Sequence, residues 1–301
     1  MTSIPMQLVT GFLGSGKTTF LKNYLEEFSG NRKIGMIQNE FSEVNVDSHE
    51  LRQGNADFQI LEVNNGSVFC VCLLGSFIGS LAAFIDQYQP DELILEASGM
   101  SDPLSIGQIL QSPLLKNKVY LDHVWCMVDA LNFEKISRLQ TRVNHQIRIA
   151  DTIIVNKTDL SENKNDAVIH RIKYINPFAA VITTTFARID FTERKSVMKF
   201  FPSGEKAENS RPDLQSVVIK SNRTISPEKL DYFLKVVHSG CIRSKGYINL
   251  TSGLKVFLQG SFDRFTLQEV EAFAAPTEFI VIGNFSDGQN HQKLFENLCT
   301  S

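Results

Sequence analysis

The chain has 301 residues, 43% hydrophobic and 21% charged. That is the balance of a soluble globular protein of about two domains, able to bury a real core. Its 30 basic and 33 acidic residues leave a net charge of −3, so no global field draws it to nucleic acid or an anionic membrane. No uninterrupted apolar run is long enough to span a bilayer. Five cysteines, an odd number, and the leaderless opening MTSIPMQLVTGFLG argue against a secreted disulfide framework. The expectation is a cytoplasmic protein with its thiols reduced.

The first predicted element is a short buried strand, Met6–Thr10. It runs into Gly11–Thr18, which matches G-x-x-x-x-G-K-[ST], and apolar residues follow from Phe20 to Phe28 at helical spacing. Gly11, Gly14 and Gly16 let the backbone curl so that its N–H groups point at phosphate oxygens. The helix N-terminus adds positive partial charge. The expected cradle is therefore Gly11, Gly14, Ser15, Gly16, Lys17, Thr18 and Thr19. Lys17 is expected to reach the β- and γ-phosphates, and the Thr18 hydroxyl to ligate Mg²⁺.

Strands are predicted next at Ile34–Gln38 and Phe58–Val63. Between residues 64 and 77 lies NNGSVFCVCLLGSF, which carries Cys70 and Cys72 in an apolar setting. On an extended segment residues i and i+2 share a face, so the two thiols could meet at one ion. Free cysteine is also among the most buried residue types. Sequence chemistry leaves ligand pair and core pair equally open, and disfavours a redox pair because the spacing is not Cys-x-x-Cys.

The strand Leu93–Ala97 brings Glu96 to its tip, two residues before Ser98-Gly99. An acid there can hold Mg²⁺ or its water, and the Gly99 N–H can bond a γ-phosphate oxygen and lose it on hydrolysis. Val119–Val128 is a further strand, with Cys126 in its core. Thr152–Val155 follows, and at its end stands Asn156-Lys157-Thr158-Asp159. A carboxylate at Asp159 can accept two hydrogen bonds from guanine, and adenine would leave it unpaired. The alkyl stem of Lys157 can lie over the base, and Asn156 can bond the base or brace the phosphate loop. Val181–Thr184 closes a strand and helix alternation that predicts an α/β P-loop domain with a mostly parallel sheet over residues 1–200.

Residues 201–213 begin a polar stretch with Pro and Gly that reads as a linker. Beyond it, 214–301 reads as a small α+β domain. Ser216–Lys220 is strand-like, and Ser226-Pro227 starts a helix striped with Leu230, Phe233, Leu234 and Val237. Gly240 is an expected stop. Three strand-like runs, GYINLTSG, LKVFLQG and TEFIVIG, precede a final helix through HQKLFENL. Cys241 and Cys299 carry no motif.

The segments TGFLGSGKTTFL, NEFSEVNVD (39–47), EASGMSDP (96–103), VDA (128–130) and VNKTD (155–159) together resemble the CobW-type GTPases, relatives of the UreG and HypB nickel-insertion GTPases. IRSKGYINL and VFLQG resemble that family's C-terminal domain. The resemblance implies a cytoplasmic GTPase using GTP/GDP and Mg²⁺. It would hand a transition metal, Zn²⁺ or Co²⁺, to a client metalloprotein or cofactor-pathway enzyme. It tips Cys70 and Cys72 toward ligands, with Glu40 as the best further ligand and Glu43, His49 and His123 as weaker ones. The family's Cys-x-Cys-Cys run is incomplete here, because Leu73 follows Cys72, and Ser42 stands where the family has Gly. Lys17, Thr18, Glu96 and Gly99 are the residues implied for hydrolysis. Glu40, Glu43 and Asp47 are candidates for positioning the attacking water. Relatives that pair across the nucleotide make a homodimer an expectation too. A competing reading is a GTPase chaperone that gates a cofactor-dependent client without carrying free metal. A third, a small-molecule kinase, is opposed by Asn156–Asp159.

Overall fold

The computed structural model describes residues 3–39, 58–63, 74–97, 106, 109–139, 141–161, 165–191, 215–238, 241–262, 264–271, 274–283, 285 and 289–300. The chain divides into two compact units, Met1–Phe201 and Pro202–Ser301. The expected linker lies outside the described residues.

The described residues of the first unit form seven strands: β1 (Ile4–Gly11), β2 (Ile34–Asn39), β3 (Phe58–Val63), β4 (Glu92–Glu96), β5 (Val119–Asp129), β6 (Thr152–Asn156) and β7 (Ala180–Thr183). Its helices are α1 (Lys17–Phe28), α2 (Leu74–Tyr88), α3 (Phe133–Leu139), α4 (Thr141–Ile149) and α5 (Asn165–Ile175). The strands form one sheet in the order β3-β2-β4-β1-β5-β6-β7, and every neighbouring pair is parallel. The sheet is thus wholly parallel among the described residues, where the sequence predicted a mostly parallel one.

A parallel sheet with helices on both faces buries both sides of each strand, so its strands read as continuous apolar runs. Leu93, Ile94 and Leu95 in β4, and Ile153, Ile154 and Val155 in β6, are all buried. On one face, Phe20, Leu21, Tyr24 and Leu25 of α1 pack against Val9, Ile34, Met36, Ile94, Trp125, Met127 and Ile154. The paired one-and-four spacing of those α1 residues is what makes the helix amphipathic. Each such side chain contributes about 1.5–3 kcal/mol on burial. On the other face, α2 approaches β2 so closely that a Cβ on Gly35 would meet the Phe84 ring at 2.8 Å.

The order of the strands positions the site. The chain leaves β1 toward β2, returns through β4 beside β1, and crosses to β5 on β1's other side. The carboxyl end of β1 is therefore where the winding reverses, and ligands bind outside such a switch point.

The second unit holds β8 (Gln215–Ser221), β9 (Cys241–Asn249), β10 (Lys255–Ser261), β11 (Arg264–Val270) and β12 (Thr277–Gly283), with helices α6 (Pro227–His238) and α7 (Gln289–Leu298). The sheet is antiparallel in the order β11-β10-β9-β12-β8. Leu230, Phe233, Leu234 and Val237 of α6 and Phe295 of α7 form a core with Ile219, Ile248, Leu258, Phe279 and Val281 of the sheet. This is the expected α+β unit with two corrections. The strand β11 was not anticipated, and β9 begins at Cys241, so Gly246 lies inside a strand rather than opening one. The expected helix stop at Gly240 lies outside the described residues.

Candidate functional site

The loop between β1 and α1 forms the centre of the site. Gly11 has φ +139° and Gly16 has φ +101°, conformations that L side chains rarely adopt. Space excludes side chains as well. A Cβ on Gly11 would lie 2.4 Å from the Met127 carbonyl of β5, and one on Gly16 would lie 2.3 Å from Nδ2 of Asn156. The glycines are therefore required by the close approach of β5 and β6 as well as by the curl of the loop. Ser15 Oγ donates to the Phe12 carbonyl at 2.7 Å, closing the turn from within.

Lys17 opens α1 and is 8% exposed. Its Nζ donates to the Gly11 carbonyl at 3.1 Å and to the Phe12 carbonyl at 3.5 Å, so the ammonium is folded over its own loop. Thr18 is half-buried beside it and Thr19 is exposed.

Asn156, the last residue of β6, is 3% exposed. Its Nδ2 donates to the Ser15 carbonyl at 3.0 Å, and its Oδ1 accepts from the Ala187 N–H at 2.9 Å. Of the two roles open to it from sequence, it takes the brace. Lys157 follows in the left-handed region, with φ 62° and ψ 36°, and Thr158–Leu160 makes one 3₁₀ turn that presents Asp159 exposed. Thr158 donates through its N–H and its hydroxyl to the Thr184 carbonyl, at 3.3 and 3.1 Å, which ties this turn to the end of β7. Phe186 and Ala187 are also left-handed, and Asn23 of α1 donates to both of their carbonyls.

On the other side of β1, Glu96 ends β4 and is 6% exposed. Gln38 of β2, its register neighbour, is 3% exposed and directs Nε2 at Glu96 Oε2 across 3.5 Å. Gln38 Oε1 has no hydrogen-bond partner among the described residues. Gln38 was not anticipated as a site residue; the signal was an amide at the end of an otherwise apolar strand. Asp129, the middle residue of the VDA run, is a second group without an expected role. It accepts from Lys157 Nζ at 2.9 Å. Burial pushes the Asp129 carboxyl up, but hydrogen bonds from Lys157 and Asn132 outweigh it and hold the pKa below the ordinary value.

Gly99, Glu40, Cys70, Cys72, Glu43, Asp47 and His49 lie outside the described residues. His123 is placed away from the strand tips. It lies in β5 opposite Gln7, its Nε2 is 3.0 Å from Thr152 Oγ1, and its ring is 4.4 Å from that of Trp125. Four residues before Gly11 in β1 register, it is about 13 Å from the loop at a strand's rise per residue. It is a core histidine, and its candidacy as a ligand is withdrawn. Cys126 is a core residue as expected; burial pushes its thiol up to about 12, against the hydrogen bond to Thr10 and the charge of Lys17.

A glycine-curled loop at the switch point, backed by an Asn-Lys-Thr-Asp turn whose asparagine clasps that loop, defines a class: the protein is a P-loop GTPase. Its place within the class follows from comparison. Residues 5–183 match the CobW/HypB/UreG nucleotide-binding domain, and residues 214–299 match the cobalamin synthesis protein cobW C-terminal domain. The chain belongs to the CobW/HypB/UreG family. It is 32% identical over 237 residues to the zinc chaperone YjiA of Escherichia coli K12, covering 73% of this chain and 72% of that protein. It is 30% identical over 184 residues to the zinc chaperone CobW of Sinorhizobium sp, a match that spans about half of each, 52% and 51%. The crystal structure of Zn(II)-bound YjiA GTPase from E. coli superposes with a TM-score of 0.65 at 22% identity, over 99% of each chain, which shows a shared fold.

No helix among the described residues is long and apolar enough to cross a membrane.

Proposed function

We propose that this protein is a GTP-switched carrier that delivers Zn²⁺ to a client metalloprotein in the cytoplasm. The observation that carries the reading is the clasp of Asn156 on the phosphate loop, 3.0 Å to the Ser15 carbonyl, within a chain that matches the family in both of its parts and is similar to a zinc chaperone over 73% of its length. The clasp joins the half of the site that would hold phosphates to the half that would read the base.

In this reading Lys17 leaves its loop carbonyls for the β- and γ-phosphates, and the loop N–H groups close around the β-phosphate. The Thr18 hydroxyl and the Glu96 carboxylate are hard oxygen donors, which suit Mg²⁺, and Glu96 would hold it directly or through water. Bound Mg²⁺ would offset the charge that develops on the phosphoryl oxygens. Asp159 reads the guanine edge, and the Lys157 stem covers its plane. The segment 39–47 and the Ser98–Gly99 turn respond to the γ-phosphate, and Glu40 joins Cys70 and Cys72 around the transported ion. Co²⁺ fits such a thiolate and carboxylate set as well as Zn²⁺ does, and availability decides between them. A ligand whose affinity differs between the GTP and GDP states is the condition for such a switch. Hydrolysis is slow without a partner, and pairing across the nucleotide would make the active form a homodimer.

The test is a competition titration of Zn²⁺ and Co²⁺ against a chelator. It is run apo, with GDP–Mg²⁺, and with a non-hydrolysable GTP analogue plus Mg²⁺. Tighter binding with the analogue, lost in a Cys70→Ser/Cys72→Ser variant, supports the carrier. Weak affinity, indifferent to nucleotide and to the substitutions, overturns it.

A further inference from the structure

We propose that Asp129 is a positioning residue for the guanine nucleotide: it holds Lys157 by its head, so that the lysine stem stands as a preformed wall of the base pocket. The inference rests on the reading of Lys157 as the residue that covers the base.

Two features make the arrangement specific. The first is how the carboxylate is aimed. Asp129 ends β5 directly beside Asn156 of β6, and its side chain is 5% exposed. Oδ1 accepts the backbone N–H groups of Leu131 and Asn132, at 2.9 and 3.2 Å. That pair fixes the carboxylate plane through an Asx turn. Oδ2 is then left to accept from Asn132 Nδ2 at 3.1 Å and from Lys157 Nζ at 2.9 Å. The second is the lysine backbone. A long side chain is uncommon in the left-handed region, yet Lys157 occupies it with φ 62° and ψ 36°. Its stem runs back from the 3₁₀ turn to the end of β5 and terminates on a buried charge.

A lysine stem has four flexible bonds, and stacking a base on a free one would cost its rotamer freedom at the moment of binding. Tethered at both ends, the stem is ordered before nucleotide arrives. Asp129 thereby acts on the base through Lys157 without touching it.

Asp129 also supports the turn at Leu131 and Asn132, so the test must separate that role from positioning. Asp129→Asn keeps an oxygen for the two backbone N–H groups but removes the charge that holds Nζ. Lys157→Met keeps an apolar stem and removes the head. Fluorescent GDP affinity and dissociation rate are measured for wild type, both single variants and the double variant, with urea midpoints in parallel. Each single variant is expected to weaken GDP binding about five-fold through faster release, the scale of a part-exposed ion pair. The double variant is expected to lose no more than either single one, because both remove the same tether. Lys157→Arg, which can keep the pair, is expected to retain most of the affinity. The proposal is overturned if Lys157→Met binds GDP as wild type does, a result that stands whether or not Asp129→Asn folds. It is overturned equally if the two losses multiply in the double variant. Should wild type bind ADP as tightly as GDP, the guanine reading fails first and the inference falls with it.

Discussion

Asn156→Ala removes a side chain that grips both the phosphate loop and the loop after β7. Asn156 is 3% exposed, and Ser15 and Ala187 are both fully buried. Truncation strands the Ser15 carbonyl and the Ala187 N–H in a place water does not reach. A buried polar group left without its partner costs about 1–3 kcal/mol, so the two together cost about 2–6 kcal/mol. The single tryptophan, Trp125, is 1% exposed in the core under α1 and reports unfolding of this unit. With a urea slope of about 3 kcal/mol per molar, at the upper end for small proteins, the midpoint should fall by about 0.7–2 M. Asn156→Asp apportions the two bonds. It keeps an acceptor for the Ala187 N–H but turns a second oxygen toward the Ser15 carbonyl. It should therefore lose GDP affinity at least as severely as Asn156→Ala while leaving the loop after β7 better anchored against proteolysis. A midpoint shift of less than about 0.3 M for Asn156→Ala would show that water reaches both stranded groups, and the clasp would lose its claim to join the two halves.

Three other outcomes are expected. Phe233 is fully buried, with edge-on contacts to Phe279 and Phe295 at 6.0 and 5.1 Å, so Phe233→Ala should destabilise the second unit by about 3–5 kcal/mol, measured by circular dichroism during urea unfolding. Cys126 and Cys241, both buried with thiols pushed up to about 12, should resist a thiol reagent at pH 8 in the native protein, whereas all five cysteines should titrate in urea. The Asp129 carboxyl is depressed in the fold, so its stabilisation is complete above the ordinary carboxylate pKa and is lost as pH falls through the lower folded value; the acid limb of the urea midpoint should be shallower in Asp129→Asn than in wild type.

The strands of the first unit were legible because most carry a run of consecutive apolar residues, clearest in β4 and β6, which are buried along their whole length. The second unit was less legible for a physical reason. β11, RFTLQEV, is an edge strand exposed along most of its length, so its apolar alternation is short, confined to Phe265 and Leu267, with Phe265 partly buried against the core. Gly246 misleads in the opposite way. It reads as a turn, yet it lies within β9 because a Cβ there would meet the Glu278 carbonyl of β12 at 2.4 Å. In the site, spacing alone pointed to Lys17, Thr18 and the Asn156–Asp159 run, because each motif is local in sequence. The contacts Asn156–Ser15, Asp129–Lys157 and Gln38–Glu96 span 141, 28 and 58 residues. They depend on which strands become neighbours, which no local pattern states.

The central place of β1 has a consequence for synthesis. β1 precedes in sequence both of the strands that enclose it. Its register partners are Leu93–Glu96 on one side and Val119–Met127 on the other. Asn156, which holds the phosphate loop, is later still. On a ribosome, the chain through Asn156 must emerge before the phosphate loop can take its working shape, and until β4 and then β5 emerge β1 is an apolar segment without its permanent neighbours. Pairings so distant in sequence close slowly, and nascent chains are most prone to aggregate while such strands are exposed. A ribosome stalled before β6 would carry the complete phosphate-loop sequence with nothing to clasp it.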